Sequence, residues 1–278
     1  MTTTAPATPG STPDQFADPG FGAAVRSEWT KLWTAKGPRR NLVLGALLAI
    51  GLSMLLALAV GATFSEWSAS EQVEFDPTLY SLSGAILASI FFVAVGVRVA
   101  TSEYTSGMIR LTLTATARRD RVLFAKALVV AVAVWIFAAI TVAGMLGGSQ
   151  LVFAAHDLET TGFGDTTLWR VGLLTVFTTP LFPILGVVAG FLFRSTAAAM
   201  TSVLALLFGP SFFGGLFPGW WQENVLSLFP GSAVDAATLG SLADSPMHLS
   251  TAPAALVSVA WLVVPLLVTR QVLVRRDA

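Results

Sequence analysis

Apolar residues run along this chain in long unbroken blocks, and the polar residues collect between them. Residues 41–64 carry no charged side chain across 24 positions. At about 1.5 Å per residue, such a helix exceeds the ~30 Å hydrocarbon core of a bilayer. The same test marks residues 79–97, 127–153, 171–193, 197–213 and 252–269, so the pattern predicts an all-α fold with six transmembrane helices. Gly209-Pro210, Gly214-Gly215 and Pro218-Gly219 break up the far end of the fifth block. Broken backbone at that depth must be covered by protein or line a cavity. Residues 1–20 are rich in Thr, Pro, Ala and Ser without apolar period, which predicts a disordered tail. The tail lacks the basic start of a signal peptide, so no cleavage is expected.

Residues 21–38 are different. Phe21, Val25, Trp29, Leu32 and Trp33 recur at helical spacing, while Arg26, Glu28, Lys31 and Lys36 fall on other faces. This reads as an amphipathic helix lying in the headgroup layer, anchored by Trp29 and Trp33 and entering the first span through a Gly37-Pro38 break.

Composition agrees with a membrane protein: 54% of the 278 residues are hydrophobic and 12% charged, with a mean hydropathy of +0.74. Soluble domains average roughly 25% charged residues and could not cover cores of this hydropathy. The formal net charge is zero, which gives no support to a nucleic-acid partner. Charge placement is lopsided. Fifteen of the sixteen Lys and Arg residues fall on one side of the six-span topology and only Arg170 on the other, which places both termini in the cytoplasm. Glu66, Glu71, Glu74, Asp76, Asp157, Glu159 and Asp165 make the opposite loops acidic.

Candidate chemistry is sparse. There is no cysteine, His156 and His248 fall singly in outer loops, and every formal charge lies in a tail, a loop or a span end. Proton relays, ion coupling and intramembrane catalysis need ionisable groups at depth. No H-E-x-x-H, G-x-S-x-G or G-x-x-x-x-G-K-[ST] motif occurs, so no metal site, catalytic site or cofactor is expected in this chain, and any ATP with its Mg must be bound by another subunit.

The segment 98–126 between the second and third spans, RVATSEYTSGMIRLTLTATARRDRVLFAK, is the longest loop on the basic side. Met108, Ile109, Leu111 and Leu113 are too few to span a membrane and too many for a solvated turn, which predicts a short docking helix. Asp120 is placed to cap the third span, with Arg121 and Lys126 snorkelling to the headgroups. Taken alone, the loop serves equally well as a positive-inside anchor or as a partner-docking site. Between the fifth and sixth spans, breakers flank Trp220-Trp221 and precede a Pro230-Gly231 turn, as in an aromatic belt at the water boundary.

From residue 21 onward the order of features resembles the type-2 ATP-binding-cassette export permeases: a basic SEWTKLW helix, a span, an acidic outer loop, a second span, and an E-x-x-x-G-x-x-R block closing in R-x-x-x-x-K. The resemblance implies that the first helix is an elbow. It implies that Glu103, Gly107 and Arg110, with Arg121 and Lys126 at the closing positions, belong to a coupling segment docking on the ATPase, Ile109 and Leu113 forming its apolar face. Glu103 would pair locally with Arg110 or with a partner residue. Thr116-Ala117 stands before Arg118 where many relatives carry proline. The segment around Trp220 and Trp221 resembles the outer re-entrant helices of that family. The implied function is the permease subunit of an exporter, and the uncharged span interiors point to a lipophilic or amphipathic substrate. It would act with a cytoplasmic ABC ATPase, a second permease subunit and membrane lipid, in a bacterial plasma membrane. Thirteen arginines against three lysines fit a GC-rich bacterial source. A secondary transporter or channel, and a membrane assembly factor, are the alternatives.

Overall fold

A computed structural model of the chain describes residues 20–105, 107, 119–162, 164–239, 247 and 249–275. Every regular element among these residues is helical. In chain order they are α1 (Phe21–Thr34), α2 (Lys36–Thr63), α3 (Ala69–Val73), α4 (Pro77–Ser81), α5 (Ala85–Thr105) and α6 (Arg119–Ala155). There follow α7 (Thr166–Thr178), α8 (Leu181–Phe193), α9 (Thr196–Phe213), α10 (Gly219–Asn224), α11 (Pro230–Leu239) and α12 (Thr251–Arg275). Six stretches are long and apolar enough to cross a membrane: Lys36–Glu66, Ala85–Tyr104, Asp120–Ala155, Thr166–Phe193, Thr196–Leu216 and Thr251–Arg275. Six spans and an all-α class are what the hydropathy pattern predicts.

The helices do not end where the apolar blocks of the sequence do. α5 begins six residues later than the apolar block and runs on to Thr105, and α6 starts at Arg119, ahead of its apolar block. The loop read over 98–126 therefore shrinks to 106–118, of which Gly107 alone is described. Gly107 has φ +70, in the left-handed region that glycine tolerates, and its N–H reaches the Tyr104 carbonyl, so it marks the stop of α5. The elbow break also shifts. It falls at the extended Ala35, while Gly37 and Pro38 occupy the first turn of α2, where a missing N–H costs nothing. The fourth span is broken at Thr179-Pro180 into α7 and α8, because Pro180 cannot donate to the helix ladder.

α5 lies at the centre, packed on α2 and α8, with α6 closing behind α2. Leu42, Ala49, Phe92, Val95, Val130, Val134 and Met145 share the main core. At Gly96 an added Cβ would stand 1.8 Å from the Pro183 carbonyl oxygen, so the backbones of α5 and α8 touch directly. On the side opposite the termini, Phe64, Trp67, Phe75, Tyr80 and Phe153 form an aromatic cluster that seats the segment between α2 and α5.

The segment after α9 folds back onto the bundle. α11 packs against α7, α9 and α12, and a Cβ at Gly231 would meet the Leu207 carbonyl oxygen at 2.1 Å. This brings Asp235 between the spans, in a cavity it shares with Phe92, Thr179 and Leu207. Asp235 lies on α11, outside the six spans, and is an exposed residue where α11 borders this cavity.

Candidate functional site

Four charged side chains meet where α1, α5 and α6 come together. The Lys126 ammonium donates to Glu28 Oε2 at 2.7 Å and to Glu103 Oε1 at 2.8 Å. The Lys31 ammonium donates to Glu28 Oε1 at 2.7 Å and to Glu103 Oε1 at 2.9 Å. Two carboxylates and two ammonium groups thus alternate in a closed ring with no net charge.

The ring is buried. Lys126 is 1% exposed, Glu28 5% and Glu103 6%, while the Lys31 side chain keeps 38%. Removing an ion from water costs several kcal/mol, and only complete pairing offsets that cost. The arrangement therefore fixes one relative placement of three helices more than it adds stability. Partial burial alone would lower the Lys31 pKa, but the hydrogen bonds and charges of Glu28 and Glu103 outweigh it and hold the ammonium above the ordinary lysine value. A cavity of about 440 Å³ opens beside the ring, with Pro38, Val99 and Ser102 on its wall.

Each corner has a local cause. Glu28 occupies a face with Val25, Trp29 and Leu32, and that face packs on α6, so the carboxylate is carried inward by its apolar neighbours. Lys126 lies two turns inside the 37-residue α6, between the buried Ala125 and Ala127. Glu103 lies in the last turn of α5.

Neighbouring ties hold the same end of the bundle. Arg194, left-handed at φ 53 after α8, stacks over Tyr104 at 5.6 Å, and Tyr104 meets Phe191 edge-on. Thr196 donates to Thr101 at 2.9 Å, linking α9 to α5. Arg270 of α12 lies 3.5 Å from Asp120. Segment 106–118 thus leaves from, and returns to, a knot that joins α1, α5, α6, α8, α9 and α12.

The coupling residues read from the sequence are divided by this geometry. Glu103 and Lys126 are brought together, Gly107 stands at the helix stop, and Arg121 is half-buried in the first turns of α6. Ile109, Arg110 and Leu113 lie outside the described residues, as do His248, Thr116-Ala117 and residues 1–19. Three expectations are corrected. Glu103 pairs with Lys126 and Lys31 in a buried setting and not in the exposed one expected, while the expected partner Arg110 lies outside the described residues. Lys126 points into the ring and does not snorkel, because two buried carboxylates hold its ammonium at 2.7 and 2.8 Å. Asp120 sits inside the first turn of α6 and pairs with Arg270 instead of capping the helix from outside.

Of the aromatic anchors, Trp29 and Trp33 are half-buried, 5.7 Å apart, and Trp33 meets Phe137 of α6. The elbow is therefore docked on the bundle along that face. Trp220 and Trp221 are exposed on α10 and meet edge-on at 5.8 Å. Glu28 and Lys31 were missed as site residues. The signal was present, since positions 25, 28, 29 and 32 follow the i, i+3, i+4, i+7 spacing of one helix face.

No curated protein and no solved structure matches the chain. Residues 24–210 match the model of a family described as "ABC-2 family transporter protein", a region that contains most of the elbow, the four-residue ring, the first four spans and most of the fifth. With the match covering more than half of its length, the chain is a multi-pass membrane protein that belongs to the ABC-2 transporter family.

Proposed function

We propose that the chain is the permease subunit of an ATP-binding-cassette exporter that moves a lipophilic or amphipathic substrate across a bacterial plasma membrane. A cytoplasmic ATPase subunit binds ATP and Mg, docks on segment 106–118, and a second permease subunit completes the pathway. Both termini face the cytoplasm, as the distribution of basic residues requires.

The observation that carries this reading is the buried ring of Glu28, Lys31, Glu103 and Lys126, which joins both ends of that segment to the elbow. A loop that served only as a topological anchor would need positive charge and no internal carboxylates. When the ATPase pair closes on ATP, the docked segment moves. The ring obliges α1, α5 and α6 to move with it, and the packing between the two subunits changes. Work is done by the partner, and this chain supplies shape.

The test is co-purification from the native membrane. An ATPase with a phosphate-binding loop should accompany the tagged chain, and the complex should hydrolyse ATP while the chain alone does not. A chain that transports substrate in vesicles without any ATPase would sink the exporter reading in favour of a secondary transporter.

A further inference from the structure

Asp235, an exposed residue, lines an open cavity of about 360 Å³ in the half of the bundle away from the termini, walled by residues of α4, α5, α6, α7, α8, α9 and α11. That is within the range of roughly 300–1,000 Å³ usual for small-molecule sites. Phe92, Val142, Met145 and Phe182 give it apolar walls, and Asp235 is the sole acid or base among the described residues that line it. Neighbouring elements carry Arg170 on α7 and Arg270 and Arg275 on α12, none of which lines the cavity.

The hydroxyls around Asp235 are mostly committed elsewhere. Ser83, Ser89, Thr141, Thr175, Thr178 and Thr179 each donate to a carbonyl of their own helix or turn. Thr238 differs. It is one helical turn from Asp235, 5% exposed, and its hydroxyl has no hydrogen-bond partner. Asp235 itself makes no hydrogen bond or ion pair within the described residues. The buried, unmatched Thr238 hydroxyl is costly unless a ligand completes it, and the exposed Asp235 beside it on the same helix leaves a carboxylate with no protein partner at the cavity wall.

We propose that this cavity binds a lipophilic organic cation, its charged nitrogen or phosphorus centre held against Asp235 and Thr238 and its apolar body against Phe92, Val142, Met145 and Phe182. The proposal rests on the exporter reading and names the substrate class. A bare inorganic ion would find only the two unmatched groups, too few to replace its hydration shell. A neutral lipophile would leave the carboxylate uncompensated. Burial pushes the Asp235 carboxyl up to about 6, so at neutral pH it is still ionised and ready to pair with a cation. Both Asp235 and Thr238 fall beyond residues 24–210, so the family match carries no information about them.

The experiment is equilibrium binding of radiolabelled tetraphenylphosphonium to the full chain in phosphatidylcholine nanodiscs. This probe carries a fixed charge, so any pH dependence belongs to the protein. Binding should weaken about tenfold between about pH 7.5 and about pH 5 as the carboxyl is protonated. Asp235→Asn should weaken it at least about tenfold at the higher pH, a loss of about 1.4 kcal/mol, while Asp235→Glu keeps most of it. Wild-type binding that is flat with pH, or full binding by Asp235→Asn, overturns the site. The wild-type series decides even if a variant fails to fold. ATPase capture is scored separately. A chain that captures an ATPase and ignores the probe loses only the cation site, whereas one that binds the probe and captures no ATPase loses the exporter reading.

Discussion

Glu103 and Lys126 stand 23 positions apart in the chain, and their side chains meet at 2.8 Å inside the protein. Everything between them, including segment 106–118, is thus a loop closed by a buried ion pair.

Because Lys126 is the buried partner of two carboxylates, its removal leaves both with only the half-exposed Lys31. Lys126→Met is expected to destabilise the chain by about 3–5 kcal/mol, whereas Lys31→Met, at the solvent-facing corner, costs about 1 kcal/mol or less. Thermal unfolding of the detergent-solubilised protein gives the comparison. Combining Lys126→Met with Glu28→Gln and Glu103→Gln should recover much of the loss, since the one charge left, on Lys31, has 38% of its side chain exposed and can turn to water. A triple variant less stable than Lys126→Met would contradict the ring.

Alkaline pH gives a second handle. The Lys31 pKa is raised above its ordinary 10.5 in the folded chain, so its contribution is fully present below that value and is lost as pH rises through the folded value. Wild-type stability should fall more steeply than that of Lys31→Met in this strongly alkaline window. Parallel pH profiles of the two proteins would refute the assignment.

The backbone contact between α5 and α8 has no room for a side chain. Gly96→Val is expected to cost at least about 1–3 kcal/mol and to lower membrane yield, because the new Cβ would strike the Pro183 carbonyl. Gly22→Ala makes the opposite change: nothing lies within 4 Å of its Cβ position, and the substitution should be neutral or add up to about 1 kcal/mol. Yield and melting temperature of the two variants report on both.

On the docking segment, Ile109→Asp with Leu113→Asp should reduce ATPase co-purification at least about tenfold while leaving the chain inserted and monodisperse, since a charge placed in an apolar contact typically costs about 2–5 kcal/mol. Normal capture and transport in this variant would return the segment to a topological role.

Impermeant-thiol labelling of single cysteines checks sidedness. Ser70 and Thr160 in intact cells should react, and Thr4 should not. Reaction at Thr4 would invert the topology.

The spans were legible because lipid tolerates few alternatives to a long apolar helix, and residues 41–64 leave none. Helix ends were less so, since α5 and α6 continue past their apolar blocks on propensity and packing, which hydropathy does not register. The break at Thr179-Pro180 had a plain signal in its proline, which the unbroken apolar run from 171 to 193 masked. Glu28 was assigned to the wrong face although its spacing to Val25 and Leu32 was available. Asp235 was beyond local reading altogether: its position depends on α11 folding back onto α9 through Gly231, a contact between distant parts of the chain.

α6 connects the two halves of the molecule in one piece. It runs for 37 residues without a proline, about 55 Å, which exceeds a ~30 Å hydrocarbon core by nearly half its length. Lys126 sits near one end, and Ala138, Thr141, Val142 and Met145 line the cavity of Asp235 about 18–29 Å further along. A continuous helix of this kind behaves as a lever. A tilt of only 5° about its midpoint at Phe137 would carry Lys126 roughly 1.4 Å and Met145 roughly 1.0 Å the opposite way, with Ala138 at the pivot, by simple geometry on its length. Motion introduced at the ring would therefore reach the cavity wall as a change in width, set by the stiffness of a single rod and not by any chain of side-chain rearrangements.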